Sequence, residues 1–431
     1  MKPFSRSKIL IFFIAMSTFL VILSINRTSR TKKSLNADFG HQRIVAVAHK
    51  PVVKYSSVSF PEAASRMQER RRHLQKVCTT LKPKDKGYEG CYMPGENLYY
   101  VPSRNIVFCG IEKAGSTFWR RLLQIVGGGS TSESNPSLIE IGIAYLERGY
   151  VSLAKASVDE IQTIFRNSTS IVFVRDPYAR LFSGWLDKLY NPNVYYWQTI
   201  GRTIKQYPSE TSCGFDVHFP EFVDHISTLV LNGHCLDTHF SPNYQHCDPC
   251  MYDFDFVGFY ETFKEDTMYI IDALNLTKEV TLNDFDRDAA RDAINDAVDW
   301  VFYSKPYIHQ CRVTFYCALF KVWNRLQSRG YIDSPFPYLT FGEAQNATAM
   351  DFKQKLLQSS LTMTAKRTKK IRHQAYQQAI GGLTKTQKAK VEKAFRKDFL
   401  LFKYRSGINS VSARYDMHGH EYFQDCPSME N

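Results

Sequence analysis

The sequence predicts an α/β domain with a central parallel sheet flanked by helices, preceded by one N-terminal transmembrane helix. From Tyr99 onward, short apolar runs typical of buried strands alternate with helical stretches, which is the pattern of an α/β domain. An uncharged stretch near the N-terminus, residues 9–25, predicts the membrane span. The composition, 44% hydrophobic and 23% charged over 431 residues, excludes a small disulfide-stapled scaffold, a polytopic membrane protein and a chain that is disordered throughout.

Residues 9–25 contain no charged side chain and would form a helix roughly 25 Å long, near the lower limit for crossing a bilayer. The residues that follow offer no small-x-small cleavage site, so we expect an uncleaved signal-anchor rather than a cleaved signal peptide. Basic residues flank the stretch on both sides, so the charge rule alone does not fix its orientation.

Glycosylation triplets and the cysteine content indicate the orientation instead. Asn167, Asn275 and Asn346 each begin an Asn-x-Ser/Thr triplet, and the 10 cysteines are compatible with disulfides in an oxidising lumen. A further triplet at Asn26 lies too close to the predicted bilayer for modification. We therefore expect a single-pass type II membrane protein whose large C-terminal part is lumenal.

The chain is expected to divide into successive segments. These are a cytosolic tail (1–8), the signal-anchor (9–25), a stem (26–95), the lumenal domain (96–405) and a C-terminal tail (406–431). The stem is polar and locally basic, and its charge runs, such as residues 69–72, are interpreted as a solvated spacer with a short helix over 62–76.

Three apolar runs predict the parallel strands of the sheet: residues 106–109, 170–174 and 254–257. Each run ends in a polar loop. In open α/β sheets ligands bind beyond the carboxyl ends of the strands, so these loops are where we expect the functional site.

The loop after the first run has the glycine spacing of a phosphate-binding loop, but its lysine is displaced. Gly110 and Gly115 occupy the two glycine positions of the pattern GxxxxGK(S/T), and Thr117 occupies its last position. Residue 116, where the pattern has lysine, is serine, and Lys113 stands inside the loop. The backbone amides of such a unit still attract an anion, whereas a γ-phosphate and Mg²⁺ site is poorly supported. Lys113 is instead suited to stabilising a leaving phosphate oxygen; the alternative is a glycine turn that only starts a helix.

A second anion motif follows the second run. Arg175 stands at the strand end, where a guanidinium can hold a phosphate bidentately, and Asp176 and Pro177 suit the start of a helix. Arg180 and Ser183 are three residues apart and are therefore expected to share one face of that helix. The alternative is a helix cap with a surface ion pair. Two phosphate sites on successive strand–helix units imply a nucleotide with phosphate at both its 5′ and 3′ positions.

Cys247 and Cys250 form a CxxC motif, which admits either zinc binding or disulfides. Structural zinc needs four ligands, and although His234, Cys235 and His246 lie nearby in the sequence, no second CxxC completes the set. In a lumenal protein we expect disulfides, with a connectivity that the sequence leaves open.

Four segments in order resemble one enzyme family. Lys-Ala-Gly-Ser-Thr (113–117) and Arg-Asp-Pro-x-x-Arg-Leu-x-Ser (175–183), each after a strand, resemble the 5′-phosphosulfate and 3′-phosphate loops of sulfotransferases that use 3′-phosphoadenosine 5′-phosphosulfate (PAPS). The stretch 237–262 and the closing segment 395–404 are similar to Golgi carbohydrate sulfotransferases of the chondroitin/dermatan 4-O-sulfotransferase type. The first loop departs from the family's usual residues but keeps the lysine, glycine and threonine. Residues 300–380 match poorly.

The resemblance implies a P-loop-like sulfotransferase fold with PAPS as co-substrate and without a metal. Lys113 would stabilise charge on the bridging oxygen as the S–O bond breaks. The residues implied to bind the donor are Lys113, Ala114, Gly115, Ser116, Thr117 and Phe118 in the first loop and Arg175, Asp176, Pro177, Arg180 and Ser183 in the second. His239 lies in the acceptor-facing stretch and is the implied general base, with Asp237 and Glu261 as rivals.

The implied reaction transfers a sulfuryl group from PAPS to a carbohydrate hydroxyl, expected to be O-4 of N-acetylgalactosamine in a chondroitin- or dermatan-like chain. Alternatives are sulfation of glucuronic acid O-3 or of an N-glycan, a P-loop kinase, and a non-catalytic glycan-binding membrane protein. The net charge of +13 favours an anionic partner, and the basic clusters 366–372 and 385–397 are candidates to attract it, although a solvated helix face explains them equally. The expected partners are a glycan and the Golgi membrane, without nucleic acid; a homodimer is left open.

Overall fold

A mixed five-stranded sheet lies at the centre of the part of the chain that the structure describes. The computed structural model describes residues 59–81, 91–129, 132–206, 213–405 and 420–426, all within one compact unit, Lys50–Asn431. The strands are β1 (Leu98–Val101), β2 (Ile106–Cys109), β3 (Val151–Ser152), β4 (Thr169–Val174) and β5 (Phe256–Phe259). Their order in the sheet is β3-β1-β2-β4-β5.

The three predicted strands are confirmed as β2, β4 and β5, and they form the parallel part of the sheet. Phe108 of β2 pairs with Ile171 of β4, which in turn pairs with Phe256 of β5. Every residue of β2 and β4 is buried, as expected for strands covered on both faces. The carboxyl ends of these strands meet at one edge of the sheet, and the two predicted loops begin there.

The prediction of a wholly parallel sheet is wrong at one edge. There β1 pairs antiparallel with both β2 and β3, neither β1 nor β3 having been identified from the sequence. Residues 102–105 connect β1 to β2, and the Arg104 amide donates to the Val101 carbonyl across this turn (3.2 Å). So short a connection joins only antiparallel neighbours, because a parallel crossover needs a dozen or more residues.

Helices make up most of the remaining described chain. They are α1 (Pro61–Thr80), α2 (Ser116–Val126), α3 (Ile141–Ala144), α4 (Val158–Asn167), α5 (Pro177–Trp185), α6 (Val194–Tyr196), α7 (Arg202–Lys205), α8 (Phe219–Leu231), α9 (Tyr244–Cys247), α10 (Phe263–Ala273), α11 (Phe285–Ile308), α12 (Phe315–Ser328), α13 (Phe341–Asn346), α14 (Ala349–Ser360), α15 (Ala365–Gly381), α16 (Lys385–Ala394) and α17 (Arg396–Leu401). Short 3₁₀ turns lie at Pro136–Leu138, Tyr260–Thr262 and His309–Cys311, and π-helical turns at Leu186–Tyr190 and Trp197–Gly201. The larger apolar clusters lie around the sheet with α1, α2 and α10, among α11 to α14, and among α5, α8, α15 and α16.

Helix α1 lies within the segment predicted as a stem, and the structure differs there from the expectation of a solvated spacer. Its buried residues join the apolar cluster of the sheet; they are Ala63, Ala64, Met67 and Leu74. Arg70, in the middle of the basic run, donates to the buried Asp266 carboxylate (2.5 Å), and its guanidinium lies 4.0 Å from the Phe259 ring centroid. The buried face of α1 consists partly of alanines, so the hydrophobic periodicity of the sequence only weakly predicts that this helix packs against the domain.

All 10 cysteines of the chain form disulfides. The pairs are Cys78–Cys250, Cys91–Cys235, Cys109–Cys247, Cys213–Cys311 and Cys317–Cys426. Cys247 and Cys250 bond to different partners rather than to each other, so the prediction of disulfides at the CxxC motif is confirmed. Neither sulfur is therefore a thiolate that zinc would bind.

The predicted membrane span, residues 9–25, lies outside the described residues. Within the ranges that are described, no helix is both long and apolar enough to cross a bilayer.

The three predicted glycosylation acceptors differ in exposure. Asn275 and Asn346 are exposed, at a loop and at the end of α13. Asn167 is half-buried at the end of α4, and its side-chain amide donates to the Thr163 carbonyl (3.0 Å). The first two are therefore the better placed for modification.

Candidate active site

A cavity of about 450 Å³ lies where the loops after β2 and β4 meet. Of the residues predicted to bind the donor, its lining includes Lys113, Gly115, Ser116, Thr117, Phe118, Arg175 and Ser183. The other lining residues are Glu112, Ala179, Phe182, Leu186, Asp187, Tyr260, Arg325, Ser328, Arg329, Tyr331, Arg372, His373 and Tyr376. This volume falls within the range of sites for small molecules and cofactors.

The loop after β2 forms one wall of the cavity and leads into α2. Gly115 caps the helix with φ +92°, a left-handed conformation that favours glycine, and a side chain there would strike the ring of Phe263. The first amides of α2 have no partner within the helix, and they belong to residues that line the cavity. Lys113 also has a positive φ, +67°, whereas Ala114 is buried behind the loop. This wall presents amides and a positive helix end to an anion.

The loop hydroxyls are held by neighbouring side chains. Ser116 donates to the Glu112 carboxylate (2.8 Å), and the Thr117 and Tyr145 hydroxyls lie 3.2 Å apart. Burial alone would raise the pKa of Glu112, but the charges of Arg120 and Lys113 and the hydrogen bond from Ser116 act together to lower this pKa to about 2. Glu112 is therefore an ionised carboxylate that orients Ser116.

Lys113 forms an ion pair with Asp187, which lies on the π-helical turn after α5. The same carboxylate contacts Arg325 (2.7 Å) and Lys188 (3.4 Å). Burial lowers the pKa of Lys113 to about 8, against the opposing charge of Asp187. Burial would raise the pKa of Asp187, but these cations hold it well below its ordinary value. Asp187 is thus a counter-ion shared by three cationic side chains.

The loop after β4 forms a second wall. Asp176 caps α5 by accepting from the Ala179 amide (2.9 Å), and Pro177 occupies the first turn, as the sequence predicts for a helix start. Arg175 donates to the Lys113 carbonyl (3.1 Å), and its guanidinium lies 4.2 Å from the centroid of the Tyr260 ring. The two loops predicted from the sequence are therefore in direct contact.

Arg180 does not share the position of Ser183. Its side chain is buried and donates to the carbonyls of Glu112 (2.8 Å), Thr238 (2.7 Å) and Ser241. Burial lowers the pKa of Arg180 to about 10. Arg180 thus ties the first loop to the stretch before α9, whereas Ser183 lines the cavity.

His239, the predicted general base, lies beside the cavity rather than in its lining. Its Nδ1 lies 2.6 Å from the Asp237 carboxylate, which also accepts from the Tyr196 hydroxyl (3.0 Å). Burial and the charge of Lys188 lower the pKa of His239, so the imidazole is neutral at pH 7. The charge of Lys113 acts in the same direction, which brings His239 within electrostatic range of the first loop.

The two alternative candidates for the base, Asp237 and Glu261, both accept hydrogen bonds from neighbouring protein groups. Asp237 orients His239. Burial would raise the pKa of Asp237, but the hydrogen bonds from the His239 side chain and amide, together with the charge of Lys188, hold it well below the ordinary value. Glu261 accepts from the Asp176 amide (3.0 Å) and from the Tyr404 hydroxyl (3.3 Å). Glu261 therefore steadies the second loop.

Three cavity arginines were not assigned from the sequence. Arg325 and Arg329 lie at the end of α12, and Arg372 lies on α15. The spacing of Arg325, Ser328 and Arg329 predicts a shared helix face, and Arg372 belongs to a basic cluster noted in the sequence. The spacing does not predict that the helix faces carrying these arginines line the same cavity as the two loops.

Gly330 brings α15 against the end of α12. It has φ +65°, and a side chain there would strike the backbone of Thr368. The Thr368 hydroxyl donates to the Gly330 carbonyl (2.9 Å), and one turn later Arg372 donates to the Arg329 carbonyl (2.6 Å). This close approach places both arginines at the cavity.

The cations of the lining outnumber its carboxylates. The cations are Lys113, Arg175, Arg325, Arg329 and Arg372, and the carboxylates are Glu112 and Asp187. Glu112 lies near Arg120 (3.5 Å), and Asp187 is shared as described above. Within the described ranges, Arg175, Arg329 and Arg372 have no carboxylate within 4.0 Å. Such a surplus of positive charge in a cavity predicts an anionic ligand.

The fold and the cavity together define an α/β protein with a cationic cavity of about 450 Å³ at the carboxyl edge of its sheet. A model of the sulfotransferase family matches residues 96–298, which include both loops. The match agrees with the resemblance of these two loops to sulfotransferases. The three unassigned arginines lie beyond the matched residues.

The chain is also similar to curated carbohydrate sulfotransferases. Carbohydrate sulfotransferase 9 of Homo sapiens is 29% identical over 248 residues, covering 54% of this chain and 53% of that protein. Carbohydrate sulfotransferase 8 of Homo sapiens is 27% identical over 226 residues, with coverages of 51% and 52%. Carbohydrate sulfotransferase 11 of Rattus norvegicus is 29% identical over 184 residues, with coverages of 41% and 52%.

The chain spans about half the length of the curated relatives it matches. Their names agree on carbohydrate sulfotransferases and do not single out the chondroitin/dermatan 4-O type. No solved structure matches the chain.

Proposed function

We propose that this chain is a carbohydrate O-sulfotransferase that uses PAPS as its sulfuryl donor. The observation that carries the proposal is a cavity that brings together Lys113 of the first loop, Arg175 of the second loop and Ser183 of α5. The surplus of positive charge in this cavity suits a nucleotide with phosphate groups at both ends. The family match over residues 96–298 and the names of the relatives support the same class.

In the proposed reaction an acceptor oxygen attacks the sulfur atom, and the bond between sulfur and the bridging oxygen breaks. The electron pair goes to that oxygen, so negative charge develops on the departing adenosine 3′,5′-bisphosphate, and the acceptor proton passes to a base. Lys113 is the group assigned to the developing charge. Burial lowers its pKa to about 8, so it is cationic at pH 7 and still a stronger proton donor than an exposed lysine.

His239 is the base in this proposal. Its Nδ1 is held by Asp237 (2.6 Å), which leaves Nε2 to accept the acceptor proton, and the neutral imidazole has the protonation state that a base needs. We expect His239→Gln to lower kcat by about 100-fold or more while the affinity for adenosine 3′,5′-bisphosphate is unchanged. If turnover and nucleotide affinity fell equally, His239 would have a structural role rather than act as the base.

The acceptor in this proposal is a polyanionic glycan, with O-4 of N-acetylgalactosamine in a chondroitin- or dermatan-like chain as the position modified. Lys366, Lys369 and Lys370 are exposed on α15. Their spacing to His373 and Tyr376, which line the cavity, puts the lysines on the adjoining helix turns. An anionic chain that entered the cavity could therefore extend along these lysines.

This acceptor assignment is tested by comparing a desulfated chondroitin chain with an uncharged N-acetylgalactosamine oligosaccharide. Replacing Lys366, Lys369 and Lys370 by glutamine should raise KM for chondroitin about 10-fold or more and leave KM for the uncharged oligosaccharide unchanged. Mass spectrometry of the products identifies the hydroxyl that is modified, including glucuronic acid O-3. An unchanged KM for both acceptors would contradict the polyanionic assignment.

We also propose that the enzyme is a single-pass type II protein of the Golgi membrane with its catalytic domain in the lumen. The five disulfides support an oxidising compartment. Protease digestion of sealed Golgi vesicles should leave the domain intact until detergent is added. Digestion without detergent would contradict the lumenal placement.

The sulfotransferase proposal is tested by offering the purified full chain radiolabelled PAPS or ATP together with a glycan. Only PAPS should label the glycan, and Lys113→Met should abolish labelling. Lys278→Met, at an exposed loop lysine, is the matched control and should label normally. Labelling from ATP would identify a kinase, and glycan binding without consumption of either donor would identify a lectin.

A further inference from the structure

Three arginines of the cavity lining, Arg175, Arg329 and Arg372, lie against the rings of Tyr260 and Tyr331. The Arg175 guanidinium lies 4.2 Å from the centroid of the Tyr260 ring. Arg329 and Arg372 both lie over Tyr331, at 4.9 Å and 5.3 Å from its ring centroid. Burial alone would raise the pKa of Tyr260, but the charges of Arg175, Arg329 and Arg372 outweigh burial and lower it. All three guanidinium groups belong to residues that line the same cavity as Tyr260.

This arginine cluster has little internal compensation. Arg329 donates to the Tyr331 hydroxyl (3.1 Å), and Arg372 donates to the Arg329 carbonyl (2.6 Å), both neutral acceptors. The Nε of Arg175 is buried and has no hydrogen-bond partner in the described part of the chain. Like charges held together repel one another, and an anion bound among them removes that repulsion. The cluster therefore has the donors and the charge of an anion subsite.

The remaining cations of the lining, Lys113 and Arg325, differ in this respect. They share the Asp187 carboxylate, so part of their positive charge is already balanced. The arginine cluster has no carboxylate within 4.0 Å among the described residues. A phosphate monoester, with up to two negative charges and three acceptor oxygens, matches several guanidinium groups better than a single hydroxyl or carboxylate would.

We propose that Arg329, Arg372 and Tyr260 form, together with Arg175, the subsite for the 3′-phosphate of the nucleotide. This inference rests on the proposed use of PAPS. It assigns half of the donor site to α12 and α15, which lie outside the residues 96–298 that the sulfotransferase family model matches.

The test compares two nucleotides that differ only in the 3′-phosphate, adenosine 3′,5′-bisphosphate and adenosine 5′-monophosphate. Their binding to the full chain in detergent is measured by calorimetry. Arg329→Met and Arg372→Met should each weaken binding of the bisphosphate about 10- to 100-fold and change binding of the monophosphate by less than about twofold. Arg396→Met, at an exposed arginine of α17, is the matched control and should change neither.

Arg329→Lys keeps the charge and the long side chain, so it separates loss of a ligand contact from loss of packing on Tyr331. The affinity of Arg329→Lys for the bisphosphate should lie between the affinities of the native chain and of Arg329→Met. The subsite assignment is overturned if both nucleotides lose affinity equally, or if neither does and KM for the glycan rises instead. A native chain that binds neither nucleotide would contradict the proposed function itself.

Discussion

Replacing Asp187 by Asn should shift the pH dependence of the reaction through Lys113. The Asp187 carboxylate is the counter-ion of Lys113, and it opposes the burial that lowers the pKa of this lysine to about 8. An opposite charge at contact distance shifts a pKa by roughly 1–3 units, so its removal should bring the pKa of Lys113 to about 7 or below. The cationic fraction of Lys113 at pH 7 would then fall from about 90% to about 50% or less.

The measurement is kcat/KM for PAPS as a function of pH, because this quantity reports groups of the free enzyme. In the native chain it should fall as the pH rises through about 8, where Lys113 loses its proton. In Asp187→Asn the same fall should occur at least about one pH unit lower. The alkaline limb of kcat should move less, because the anionic donor replaces part of the missing charge.

Two controls separate this effect from a general change of charge. Asp224→Asn removes a surface carboxylate that pairs with Lys390 (2.6 Å), and it should leave the profile unchanged. Lys113→Arg should abolish the alkaline limb near pH 8, since a guanidinium does not titrate there. An alkaline limb at the same pH in the native chain and in Asp187→Asn would refute the reasoning.

The remaining predictions concern stability, the cavity and modification. Gly330→Ala should destabilise the fold by about 1–3 kcal/mol in urea unfolding, because alanine is strained at a positive φ, and it should weaken binding of adenosine 3′,5′-bisphosphate. Asp266→Asn should lower the free energy of unfolding by about 3 kcal/mol, because it leaves the arginines of α1 without their buried counter-ion, whereas Glu69→Gln at an exposed pair should have no measurable effect. In secretory-pathway expression, replacing Asn275 and Asn346 by Gln should remove most of the mass shift caused by enzymatic deglycosylation.

The parallel strands were predictable because each is a continuous apolar run with turn residues at its end. Ile106–Cys109 appears in the structure with the predicted bounds, and β4 begins one residue earlier than predicted. The antiparallel edge was missed because β3 has only two residues, and because β1 lies just before an already assigned strand. Short edge strands carry little periodicity, so the pairing of β1 with β2 follows from the turn at residues 102–105 rather than from the sequence of β1 itself.

The candidate site was predictable only where its residues adjoin strand ends. Arg175 directly follows β4 and Lys113 lies in the short loop after β2, so the topology of the sheet brings them together. Arg325 and Arg372 reach the cavity through helices far along the chain, and only tertiary packing decides which way those helices face. The same limit explains Arg180. Its spacing to Ser183 suggests a shared role, but in the structure all three of its side-chain nitrogens donate to loop carbonyls.

The arginine-rich side of the cavity needs a rigid support, because its charges repel one another when no anion is bound. Helix α12, which ends immediately before Arg329, is buried along most of its length. Covalent bonds hold both the turn before it and its own first turn, through Cys213–Cys311 and Cys317–Cys426. These disulfides limit how far α12 can move away from the loops after β2 and β4. An oxidising compartment would therefore preserve the donor site as well as the fold, since reduction would leave the repulsion among the arginines opposed by packing alone.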